Sequence, residues 1–75
     1  MPLDTMLRTI RAETVAGRLR ANDLAEAVTF LLGEGRDSSQ AERELFDALD
    51  RLTFLRMRQH AIEVMRGFAF TTAEA

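Results

Sequence analysis

Apolar residues recur along the chain at intervals of three and four, and nowhere alternate with the period of two that a half-buried strand shows. The chain therefore predicts an all-α fold. Leu3, Met6, Leu7 and Ile10 make the first stripe, with Asp4 well suited to cap the helix that carries it. At about 100° per residue the stripe next meets only Thr14, Gly17 and Ala21, while Val15 and Leu19 fall on the far side. Its phase returns at Leu24 and continues through Val28, Leu31 and Leu32. Glycine costs a helix interior about 1 kcal/mol relative to alanine, and Asp23 with Glu26 has the form of a fresh capping box. A break near 21–22 is therefore expected in preference to one helix over 4–32, giving helices of about 4–21 and 23–32. Gly33 is placed to follow the end of the second.

"GEGRDSS" (33–39) is the one clear loop, two glycines followed by cap-forming side chains. Ser39 and Glu42 have the spacing of a capping box, and helical periodicity then runs to Arg66 with Gly67 as its stop. Phe68 would fold back on Ile62. Such a helix, 39–66, is about 40 Å long.

Its apolar face changes along its length. Leu45, Ala48, Leu49 and Leu52 share one side, opposite Arg43, Glu44, Asp47 and Asp50. Past Thr53, the residues Phe54, Met57, Ala61, Val64, Met65 and Phe68 group on the side that was acidic before. Arg56, Gln59, Glu63 and Arg66 take the earlier apolar side, with Leu55 and Ile62 between the two. No glycine or proline stands at 53–54 to break the helix, so two different neighbours are expected. The first half packs on the chain's own early helices. The second packs on the same helix of a second copy, antiparallel across a two-fold axis, as closed symmetric dimers are the commonest oligomers. The competing arrangement makes the late face the monomer's own core, covered by residues 4–20.

Two or three helices with a long C-terminal one, a hairpin or bundle completed by homodimerisation, is the architecture this pattern predicts. Residues 1–70 form a single domain, followed by a mobile tail over 71–75. Composition adds weight to the second copy. Chains below about 80 residues usually need a disulfide, a metal or a partner subunit. This one has 75 residues, no cysteine and a single histidine, which excludes disulfides, thiolate metal sites and cysteine nucleophiles. No metal or cofactor is expected.

The net charge is −2, from ten basic and twelve acidic side chains. All ten basic residues are arginine, which follows most simply from a GC-rich coding sequence; selection of the forked guanidinium for carboxylate pairing is the alternative. No stretch approaches the roughly 20 apolar residues of a membrane span, and the start lacks the run of a secretory signal. A cytoplasmic protein of a bacterium or bacterial virus is the expectation.

Catalytic candidates are few. His60, Glu63 and Arg56 share one side of the last helix, an arrangement more common in surface ion pairs than in chemistry. Asp37–Ser38 opens a helix near mid-chain, as the phosphopantetheine serine does in carrier proteins, but Ser39 stands where those proteins want an apolar residue. Nothing is spaced as nucleophile, base and orienting group. A DNA-binding helix-turn-helix could be built from 23–32 and 39–53, but its reading helix would carry Glu42, Glu44, Asp47 and Asp50 against Arg43 and Arg51. Arg8, Arg11, Arg18 and Arg20 on the first helix favour that alternative. The reading that remains is a non-enzymatic protein-binding module, an adaptor, inhibitor or chaperone-like protein. It would be dimeric through the late face and meet its protein partner through positions such as Arg8, Arg11, Arg18 and Phe30.

Overall fold

The computed structural model describes residues 2–74, with side chains to residue 68. Two helices, α1 (Pro2–Gly33) and α2 (Ser39–Glu74), fold back on each other as a hairpin. They form a thin rod whose Cα atoms span 62 × 14 × 13 Å. The pairing is antiparallel from end to end: Leu7 and Ile10 meet Ile62 at the open end, and Ala21 meets Ala48 and Leu52 nearer the turn.

One seam holds the rod together, and its period explains it. On α1 the inward positions are Leu3, Leu7, Ile10, Thr14, Gly17, Ala21, Leu24, Val28 and Leu31, each buried or half-buried. Facing them are Ser38, just before α2, and Ala41, Leu45, Ala48, Leu52, Leu55, Gln59 and Ile62 on it. Both series step by threes and fours in strict alternation, a heptad repeat whose mean of 3.5 residues keeps a seam facing its partner helix. Apolar burial is concentrated at seven residues, with Leu7 and Ile62 all but sealed at 1% and 2% exposure.

The break expected at 21–22 is absent, and α1 is one helix through that point. Thr14, Gly17 and Ala21 are not a gap in the apolar stripe but its narrow section. A methyl group built on Gly17 would lie 3.1 Å from Leu52 Cδ2, so the glycine's bare backbone is the surface against which that leucine packs. Thr14 satisfies its hydroxyl by donating to the Ile10 carbonyl at 2.7 Å.

The turn also differs in detail from its sequence signature. Gly33 remains helical, and the left-handed residue is Gly35, with φ of 66°. The Gly35 amide donates to the Leu32 carbonyl (3.1 Å) and the Arg36 amide to that of Leu31 (2.8 Å). This is the paired bonding of a Schellman end with Gly35 at C′, two residues later than the sequence suggests. At the start of α2, Asp37 Oδ1 accepts both the Ser39 amide (3.0 Å) and the Ser39 hydroxyl (2.6 Å). Those bonds, the hydroxyl first, hold the Asp37 carboxyl below its ordinary range. Ser38 is buried and donates its hydroxyl to Glu42 Oε1 at 3.1 Å, in place of the expected Ser39–Glu42 box.

At the far end, α2 continues through Gly67 to Glu74, so the expected stop and the return of Phe68 onto Ile62 do not occur. Phe68 is 76% exposed. Beyond the helical course of its backbone to Glu74, the tail expected as mobile over 71–75 lies outside the described residues.

Candidate interaction surface

The late half of α2 does not change its apolar face; it acquires a second one. Leu55 and Ile62, which an ideal helical wheel places between two stripes, are core at 3% and 2% exposure. Leu7 and Ile10 cover Ile62 while the late stripe stays exposed, which rules out that stripe as the monomer's core. Phe54, Met57, Ala61, Val64 and Phe68 instead point away from α1, on the opposite side of α2. Phe54, Met57, Val64 and Phe68 are 54–76% exposed, and Met65 beside them is 50% exposed. The spacing of this outer stripe, 54, 57, 61, 64 and 68, is again three and four in alternation. α2 therefore carries two heptad seams back to back, one filled by α1 and one facing solvent.

Of the polar residues that the sequence places on the earlier apolar side, Glu63 and Arg66 flank the inner seam and pin the open end. Arg66 Nε lies 2.7 Å from Asp4 Oδ1, and Arg11 reaches Glu63 Oε1 at 3.3 Å. Arg51 and Glu13 approach to 3.9 Å on the opposite flank. Glu63 also accepts from Gln59 Nε2 at 3.1 Å, and these bonds, that from Gln59 first, hold its carboxyl below the ordinary range. Exposed pairs of this kind contribute little, because solvent screens them. They set register more than stability.

Of the candidate partner contacts, Arg8, Arg11 and Arg18 lie on α1 in the open half, where Arg11 is occupied by Glu63. Phe30 is 59% exposed but stands twelve residues beyond Arg18, about 18 Å along the axis and on another side of the helix. The structure does not bring these four into one surface. His60 is exposed, and Glu63 turns to Arg11 and Gln59. Ser38, the residue a carrier protein would present, is 6% exposed.

Sequence reasoning missed a further feature, the division of charge along the rod. Residues 22–50, the turn half, hold eight acidic side chains and two arginines. The open half, 1–21 with 51–75, holds eight arginines and four acidic side chains. A chain of net charge −2 is thus a rod with −6 at one end and +4 at the other. The acidic stretch is continuous in the sequence, and the basic half appears only once the hairpin folds its two basic segments together.

Among the described residues no group of three or more His, Cys, Asp or Glu gathers to hold a metal, and no buried side-chain nitrogen or oxygen lacks a partner. No described helix is long and apolar enough to cross a membrane. Comparison with protein families, with curated proteins and with solved structures gave no match.

Proposed function

We propose that this chain is a small, non-enzymatic, cytoplasmic protein-binding module, an adaptor, inhibitor or chaperone-like protein that acts through helix-mediated contact. Its outer stripe, Phe54, Met57, Ala61, Val64, Met65 and Phe68, joins two copies through antiparallel α2 helices. The second heptad seam on α2 is the observation that carries this reading. A periodic apolar face of that kind fits a helix, and a patch so large is more than monomers usually leave in water. Dimerisation leaves Arg8 and Arg18 on α1 free for a further protein. The experiment is the solution mass by light scattering over a dilution series, on wild type and on Met57→Glu. A mass of twice 8.5 kDa that halves in the variant supports the reading, and a monomeric wild type overturns it.

The eight arginines of the open half give a nucleic-acid-binding regulator second place. Its helix-turn-helix form would place the reading helix in the acidic half, where phosphates are repelled. Retention on heparin that falls steeply with salt would favour it.

A further inference from the structure

We propose that the division of charge sets how two copies pair: the acidic half of each rod lies against the basic half of the other, about a two-fold axis near Thr53. This rests on the reading that a second copy covers the outer face of α2, and adds its register and the residues that fix it. Two registers compete. An axis at Ala61 lays the outer stripe on itself, Phe54 level with Phe68, but sets the two basic ends side by side. An axis at Thr53 keeps the helices antiparallel and overlaps them over the whole hairpin.

Counting outward from Thr53, Met57 comes level with Leu49 of the second copy, and His60 with Phe46, one residue from Ala61. Leu49 and Phe46 are the two large apolar side chains that α2 exposes in its acidic half, at 44% and 63%. The same register brings Arg56 level with Asp50 and Arg58 one residue from Asp47. Arg56 and Arg58 form no ion pair within the chain among the described residues, nor do Asp47 and Asp50. One apolar match, Met57 with Leu49, and one charged match, Arg56 with Asp50, therefore come together near the axis, and the two-fold makes each twice. Phe46 and Phe54, at 63% and 61% exposure, offer about 250 Å² between them, about a third of the roughly 800 Å² per partner of a standard interface. The contact is isologous and closes, whereas pairing the basic end with an unrelated surface of another copy would propagate.

Charge-swap complementation tests it. Arg56→Glu/Arg58→Glu and Asp47→Arg/Asp50→Arg alter exposed positions, and circular dichroism checks that each stays helical. Each variant alone sets like charges opposite one another and should dissociate at least tenfold more readily than wild type. An equimolar mixture should recover a dimer within a few-fold of wild-type affinity, and wild-type affinity should fall as salt rises. The chain has no cysteine, so single replacements report the register directly: Thr53→Cys should oxidise to a linked dimer and Ala61→Cys should not. Loss of the dimer in Met57→Glu with no effect of either charge reversal would leave the dimer standing and overturn this register. So would a link through Ala61→Cys alone. A mixture that stays monomeric, or basic-end variants that lose nucleic-acid binding rather than self-association, would also overturn it.

Discussion

Leu52 packs closely against the bare backbone of Gly17, and replacing that side chain tests whether the two helices meet there. Leu52 is 5% exposed and sits with Ala21 and Ala48 opposite Gly17. Leucine-to-alanine changes in cores cost about 2–5 kcal/mol, the spread following the cavity left behind. Here only two helices surround the site, so water reaches the vacancy and the cost should fall near the low end, about 2–3 kcal/mol. Gly17→Ala adds the second arm. Removing a glycine from a helix interior gains about 1 kcal/mol. With Leu52 present the new methyl meets Cδ2 at 3.1 Å, closer than ordinary contact, and overpacking of about 1 kcal/mol should cancel the gain. With Leu52→Ala the obstruction is gone and the full gain of about 1 kcal/mol should appear. Urea unfolding of the four proteins, followed at 222 nm at one chain concentration, gives the coupling between the two sites. Equal effects of Gly17→Ala in both backgrounds would show that residues 17 and 52 do not touch. A Leu52→Ala cost below about 0.5 kcal/mol would remove Leu52 from the core.

Other outcomes follow from single positions. Gly35→Ala should cost about 1–2 kcal/mol because φ of 66° is left-handed, although no neighbour obstructs the methyl. Gly33→Ala, in ordinary helical conformation with nothing within 4 Å, should be neutral or gain about 0.5 kcal/mol, and thermal midpoints of the two compare them. The Glu63 carboxyl is lowered on folding, so its contribution is full above its ordinary value near 4.5 and is lost as pH falls through the lowered value. Glu63→Gln should therefore narrow the drop in urea midpoint between pH 6 and pH 3. An unchanged drop would show that Arg11 and Gln59 do not hold that carboxylate.

The all-α class, the turn over 33–39 and the outer stripe were all legible in the sequence, because each rests on residues within a few positions of one another. The continuity of α1 was not. Thr14, Gly17 and Ala21 look like a weakened stripe until Leu52, thirty-five residues beyond Gly17, is known to fill the space they leave. Leu55 and Ile62 were misplaced for a geometric reason. A seam of period 3.5 drifts about 20° per heptad on an ideal 3.6-residue wheel, so by the second half of α2 the buried side has moved off the position read for it. Gly67 does not stop its helix: α2 runs through it to Glu74, and glycine at such a position weakens a helix without ending it. The acidic half of the charge division is one continuous stretch, 22–50, and could have been read from the sequence; its basic half is assembled from the two ends of the chain and needs the hairpin to appear.

We propose that the two apolar faces of α2 have separate tasks, the inner closing the hairpin and the outer joining copies. Placing one glutamate on each face, Leu55→Glu and Met57→Glu, and measuring helicity and solution mass for both tests it most directly. Leu55→Glu buries a charge in the seam and should lose most of its helical signal. Met57→Glu should keep its helical signal and appear at 8.5 kDa where wild type is twice that. Helicity retained in Leu55→Glu, or a wild-type mass unchanged by Met57→Glu, would contradict the claim.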